Sequence, residues 1–458
     1  MKKITKVIAA ATALSAALGV CAYAAEDTIE DKVIAGYQAW FNTEGDGSPR
    51  NEWVHWGRPE VGHLTFDAYP DVRDYSVEDL KETYFAELGN GEKSKLFSSY
   101  RAGVIDKHFE MMHDYGIDGV AVQRFGSVTI NGVEERFKNS VDILKNVKAS
   151  AEKHNELFYV MYDISGLSEE NLVEDLKADW QQVILNDLDI TSSPSYAKDN
   201  GRPVVCLWGL GIREGTGEQY SELIDWFHDK GCYVIGGVSK SWRDQIAKDE
   251  AMEKAFCKLD MLSPWSVGSA KTDSDVDSDA SILAADKAYL DEKGIAYQPV
   301  MFPGFSWSNW KDNAVRNQIP RRAGDFMWRQ AYNIAKQDIH CGYIAMFDEY
   351  DEGTAILKLA EDSSMIPKDQ YFITASADGS YTSSDLYMRL AGYIPKVLRG
   401  EEEITEEMPL LLSEGPVYFR SGFEKYFDAQ PVDGNGELVK DELTSVSYTH
   451  LRAHETRS

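Results

Sequence analysis

The chain has 458 residues, with 47 basic and 76 acidic side chains and a formal net charge of −29. A field of that sign repels nucleic acid and anionic membrane and suits a neutral substrate. The length allows a large core without cross-links, and no C-x-x-C occurs to signal a redox pair or a zinc knuckle.

The first residues predict an export signal over 1–24. Lys2, Lys3 and Lys6 precede an apolar stretch over 7–20, too short to span a bilayer comfortably, and Ala22-Tyr-Ala24 is a small-x-small cleavage site. This predicts a secreted or periplasmic protein with no membrane span. Cys21 offers lipid anchoring as an alternative, which Val20 before it fits poorly. The four later cysteines, Cys206, Cys232, Cys257 and Cys341, can be thiols or disulfides after export.

From Val33 to about Tyr350, β-type apolar runs alternate with amphipathic segments. Strands are expected over 33–41, 117–125, 157–164, 203–208, 232–238, 259–264, 295–302 and 343–347. Helices are expected over 104–115, 133–154, 171–186, 219–230, 281–293 and 322–337. Continuous apolar strands alternating with helices mean a parallel sheet covered on both faces. Eight such units over this length predict a (β/α)₈ TIM barrel, with a doubly wound open sheet as the alternative. The 42–99 insertion is rich in Gly, Pro and aromatics, so long loops are expected over the barrel mouth. A closing helix is expected over 385–399, which completes one domain over 25–399. Residues 400–458 read as an acidic linker and an incomplete C-terminal segment. The last eleven change character and resemble a translated vector or adapter tail, so His450 and His454 are given no function.

Catalytic groups of such a barrel come from the C-terminal ends of its strands. Those ends supply Tyr37, Trp40, Gln123, Arg124, Asp163, Trp208, Trp265, Trp307, Trp310 and the stretch Asp348 to Glu352, with Trp56 in the first loop. Aromatic faces stack on sugar rings, and amides, carboxylates and guanidinium groups hydrogen-bond hydroxyls. The set therefore predicts an oligo- or polysaccharide as partner, with no cofactor and no metal.

Glu349 and Glu352 follow an apolar strand in Tyr343-Ile-Ala-Met-Phe-Asp-Glu-Tyr-Asp-Glu-Gly-Thr354. Acid–base cleavage of a glycosidic bond needs two carboxyls, one to protonate the leaving oxygen and one to attack, activate or stabilise. Residues three apart on a strand face opposite ways, so both enter one pocket only if the backbone turns between them. Gly353, Asp351 and Thr354 predict that turn. Asp348 and Asp351 compete for either role, or else cap a helix over 354–360. The bland alternative for the whole stretch is an acidic surface turn.

Glu349-Tyr-Asp-Glu-Gly-Thr354 resembles the Glu-Trp-x-Glu-Gly-Thr signature of glycoside hydrolase family 99. Gly36-Tyr-Gln-Ala-Trp-Phe41 with Trp53-Val-His-Trp56 is similar to that family's opening strand and loop. The resemblance runs from about Val33 to Tyr371 and extends to the wider family 71/99-like group. It implies a (β/α)₈ barrel that cleaves α-mannosides, typically endo and with retention, without an enzyme nucleophile. By the same resemblance Glu349 is the base toward the sugar 2-hydroxyl, which closes a 1,2-anhydro sugar. Glu352 protonates the leaving oxygen and then activates water. Tyr350 stands in place of the signature tryptophan and Asp348 where asparagine is usual. Xylan or α-glucan specificity, and a non-catalytic glycan-binding protein on the same barrel, are the other readings.

Other motifs carry less. His108 and His113 are five apart on a helix, about 140° around it, too far to share zinc. The Gly209–Gly215 run is one residue off a dinucleotide fingerprint. Gly304-Phe-Ser-Trp-Ser308 lacks the last glycine of a hydrolase elbow. Asp273–Asp279 alternates like a calcium loop but has no glycine at its sixth position, and reads as a helix start.

Overall fold

The computed structural model describes residues 28–59, 63–129 and 132–413. The expected export signal and the segment beyond residue 413 lie outside them.

Eight parallel strands form a ring. They are β1 (Val33–Tyr37), β2 (Val120–Phe125), β3 (Phe158–Asp163), β4 (Arg202–Leu210), β5 (Tyr233–Ser239), β6 (Met261–Trp265), β7 in two short pieces (Ala296–Tyr297 and Val300–Met301) and β8 (Gly342–Ile344). Each neighbours the next, and β1 pairs with both β2 and β8. β7 closes the ring by changing partners. Its first piece pairs with Met261–Leu262 and its second with Tyr343–Ile344. The switch falls at Gln298-Pro299, where Gln298 N donates to Leu262 O (3.0 Å) and Tyr343 N to Pro299 O (2.9 Å). Proline has no N–H to leave unpaired at the crossover.

The barrel strands were legible because they are buried on both faces. β1 and β3 are buried at every position. The expected helices are also present, including Ala102–Tyr115, Glu134–His154, Gly217–Asp229, Asp325–Ala335 and Leu386–Leu398. The calcium-like run is the start of helix Asp273–Lys293, with a capping box between Thr272 and Asp275. Gly36 leaves room inside the barrel, because a Cβ there would lie 2.2 Å from both the Tyr343 hydroxyl and Met346 Cε. Cys206, Cys232, Cys257 and Cys341 are thiols. Among the described residues no helix is long and apolar enough to cross a membrane.

Two expectations are corrected. Residues 354–360 form no helix. They run extended because their amides pair elsewhere, Ile356 N with Met346 O (3.0 Å), Leu357 N with Phe347 O (2.8 Å) and Ala360 N with Tyr69 O (2.9 Å). Residues 400–413 are no free linker. They dock on the barrel, where Thr405 O accepts from Trp328 Nε1 (3.1 Å) and Leu412 O from Ser383 N (3.0 Å).

The 42–99 insertion includes a hairpin of Leu80–Glu82 with Lys95–Phe97. It reaches the loops after β7 and β8. Asp67 N and Ala68 N both donate to Tyr350 O, at 3.1 and 3.2 Å. The buried Asp67 carboxylate accepts from Ser306 Oγ, Ser308 N, Ser308 Oγ and Asn309 N at 2.6 to 2.8 Å.

Candidate active site

The turn after β8 forms as the sequence requires. Gly353 N donates to Tyr350 O (3.2 Å), and Gly353 adopts φ 62°, in the left-handed region that favours glycine. The buried Arg321 guanidinium braces the turn, donating to Gly353 O (2.8 Å) and Ala355 O (2.7 Å).

Glu349 stands at the floor of the mouth and is buried. Its Oε2 accepts from Gln38 Nε2 (2.9 Å), and its Oε1 from the backbone N–H groups of Asp351 (3.1 Å) and Glu352 (3.3 Å). Burial pushes this carboxyl well up, and Asp351, Glu352 and Asp348 add to the push. Glu352 is half-buried, and no protein donor binds its carboxyl among the described residues. Burial raises it to about 6, against the opposing pull of Lys311.

Asp351 Oδ2 lies 2.6 Å from His55 Nδ1. Burial raises the Asp351 carboxyl and lowers the imidazole, to about 3, so one proton serves the pair. The His55 ring stacks on Trp40 at 3.7 Å between centroids and 6° between planes. Trp40 stacks in turn on Phe125 at 5.2 Å. Across the mouth, Trp208 meets Trp265 edge-on at 5.2 Å, and Trp265 meets Tyr343 at 6.2 Å. Gln123 reaches the Tyr343 hydroxyl at 3.4 Å. Asp163, buried at the end of β3, accepts from Ser165 N (2.8 Å), and burial raises its carboxyl. Trp307 and the exposed Trp310 form the rim, on the loop that Asp67 clasps.

Of the expected site residues, Glu349, Glu352, Trp40, Gln123, Asp163, Trp208, Trp265, Trp307 and Trp310 are at or around this mouth. Five are placed elsewhere and are corrected here. Tyr37 points out of the barrel onto Phe109, its hydroxyl 2.9 Å from His108 Nδ1. Arg124 also points outward, into a buried ion pair with Asp179. Trp56 is fully buried in the insertion, donating to Phe97 O (2.9 Å). Tyr350 is buried against Phe41, Trp56 and Phe97 and reaches Lys358 O (3.3 Å). Asp348 faces the backbone of the β1 loop, where its two oxygens accept from Gln38 N (2.7 Å) and Ala39 N (2.8 Å). Ala39 at φ 49° aims the two amides at one carboxylate.

The sequence reading passed over Gln38, His55, Phe125, Tyr343 and Asp67. Strand alternation held the signal for two of them. If Gln123 faces in, so does Phe125, and if Tyr37 faces out, Gln38 faces in. Gln38 Oε1, Trp40 Nε1, Gln123 Oε1, Trp208 Nε1 and Asp351 Oδ1 are buried without a protein partner. Such atoms are costly unless something pairs with them. A ligand carrying many hydroxyls would satisfy several at once.

Fold and site together define a (β/α)₈ barrel with a carboxyl-floored, aromatic-walled cleft at the C-terminal face of its strands. No family model matches the sequence, and no curated protein matches it. Among solved structures the chain is similar in fold to a GH99 endo-alpha-mannosidase from Bacteroides thetaiotaomicron solved in complex with bis-tris-propane. The identity is 15% and the TM-score 0.58, covering 82% of this chain and 99% of that one. A second structure of the GH99 enzyme from that organism gives 14% identity and a TM-score of 0.58, over 81% and 99%. The chain thus has a GH99-like barrel fold.

Proposed function

We propose that this protein is an exported glycoside hydrolase that cleaves α-linked glycans, of α-mannoside type, with retention. The observation that carries the reading is the unequal setting of two neighbouring carboxyls on one turn. Glu349 receives three N–H donors, and the Glu352 carboxyl receives none among the described residues.

Donors favour the charged form of a carboxyl, and Glu349 has three. Burial and the neighbouring carboxyls push Glu349 well up, and burial pushes Glu352 to about 6, so it is the donor set, running against that order, that assigns the base role to Glu349 and the acid role to Glu352. Glu349 then takes the proton of the sugar 2-hydroxyl as that oxygen attacks the anomeric carbon and the bond to the leaving oxygen breaks. Glu352 gives its proton to the leaving oxygen. In the second half, Glu352 takes a proton from water, which opens the 1,2-anhydro ring, and Glu349 returns the proton to the 2-oxygen. Two inversions give net retention. The half-buried Trp265 and Trp307 offer ring surface on which sugars pack.

The test is a screen of α-mannan, α-glucan and xylan oligosaccharides, with the first-formed product anomer read by NMR. An α product from the α-mannoside is expected. Glu352→Gln should lower turnover by orders of magnitude while binding persists. Full activity in both Glu349→Gln and Glu352→Gln would overturn the assignment, and binding without hydrolysis would point to a glycan-binding protein.

A further inference from the structure

Beside the cleft lies a groove of about 990 Å³, lined by Trp307, Lys271, Lys311, Arg316, Asn317, Gln318 and Arg322, among others. Its charge runs against that of the chain as a whole, which is −29.

Among the described residues many cations are paired with a carboxylate, as Arg322 is with Asp273 and Arg329 with Asp277. Three on this groove are not. Lys271, Lys311 and Arg316 make no ion pair among the described residues. Lys311 lies over the Trp310 ring at 4.0 Å and Arg316 over the Tyr371 ring at 4.4 Å, which holds both side chains in place. Of the acidic groups on the wall, Asp378 is already engaged by Asn317 Nδ2 (2.9 Å) and Arg322 N (2.5 Å), leaving Asp312 as the exposed one. The groove lies on the loop that packs against the backbone of Glu352. Ser306 N donates to Glu352 O (2.8 Å), Trp307 follows Ser306, and Lys311 acts electrostatically on Glu352.

Resting on the glycosidase reading, we infer that the glycan this cleft accepts carries an anionic substituent, a phosphate, sulfate or uronate carboxylate, which Lys271, Lys311 and Arg316 receive beside Glu352. A long polyanion would be repelled by the rest of the surface. A single charged substituent on a neutral glycan meets only this patch. The cations are exposed, so their attraction is strong at low salt and screened at high salt.

The test reads binding, so that it stands apart from turnover. The full chain carrying Glu352→Gln is titrated by tryptophan fluorescence with methyl α-mannoside, its 6-phosphate, its 6-sulfate and methyl α-mannuronoside in 20 mM buffer. The charged glycosides should bind about tenfold tighter than the neutral one, a difference erased near 0.5 M salt. Lys271→Gln with Arg316→Gln should bring the charged glycosides to the neutral level. The arm that binds best identifies the substituent. Equal binding of all four, no binding by any, or a preference that survives the double substitution would each overturn the inference. Hydrolysis of neutral α-mannan by the unsubstituted protein, measured separately, would keep the glycosidase reading intact in any of those cases.

Discussion

Gln38 Nε2 lies 2.9 Å from Glu349 Oε2, joining positions 311 apart in the sequence. It is the only side-chain donor to that carboxylate among the described residues. Gln38 N also donates to Asp348 (2.7 Å), so one residue ties the end of β1 to both carboxyls that follow β8. Gln38→Ala should remove a buried hydrogen bond to the Glu349 carboxyl, worth about 0.5–1.5 kcal/mol. The kcat of the variant should fall about 10- to 100-fold, with the melting temperature lowered by only about 1–3 °C. Steady-state kinetics and a thermal melt on the same preparation check this.

Activity should fall on the alkaline side near pH 6. Glu352 must be protonated to serve the leaving oxygen, and burial places its carboxyl at about 6. Below that pH the acid form dominates, and above it the proton is lost. Lys311 pulls this value down, so Lys311→Gln should move the alkaline limb of the kcat profile to higher pH. A limb that stays put or moves to lower pH would contradict the electrostatic assignment.

Asp348 should make the fold less stable as pH rises. Burial raises its carboxyl from 3.8 to about 7, so the folded chain binds a proton that the unfolded chain has released. That contribution is full below about pH 4 and is lost as pH climbs through about 7. Asp348→Asn removes the titrating group. Melts of the variant minus those of the parent, from pH 4.5 to 8, should show a gap that grows with pH in the variant's favour. Subtraction cancels the depressed carboxyls elsewhere, such as Asp106 and Asp385, whose stability contributions run the other way.

Asp67→Ala should loosen the rim. Four donors on the 306–309 loop lose their acceptor at once. KM for oligosaccharides should rise several-fold, more than kcat falls, because Trp307 and Trp310 lie on that loop while Glu349 and Glu352 do not. A loss confined to kcat would count against the rim role.

The barrel was legible because each strand is an apolar run bounded by polar turns, a pattern that survives without tertiary information. The carboxyl turn was legible for a similar reason, since Gly353 marks where the backbone must bend. What failed was the side-chain direction at strand ends. Tyr37 and Arg124 have the right chemistry for a sugar site but stand one residue off the inward-facing register, which Gln38 and Gln123 occupy. Trp56 and Tyr350 failed differently, as aromatic residues in a loop that builds a core of its own against Phe41 and Phe97. Nothing local distinguishes such a core residue from one on a cleft wall. Asp67 was unreadable because its partners lie some 240 positions away.

Those long spans give the cleft a place in time as well as in space. β1 cannot complete its pairing until Gly342–Ile344 has emerged, and the Asp67 clasp waits for Ser306 to Asn309. Contacts this distant in sequence form late and slowly. The cleft is therefore a folding end point. A nascent or threaded chain carries no half-built site, and the carboxyls of the final turn become buried neighbours only when the ring has closed.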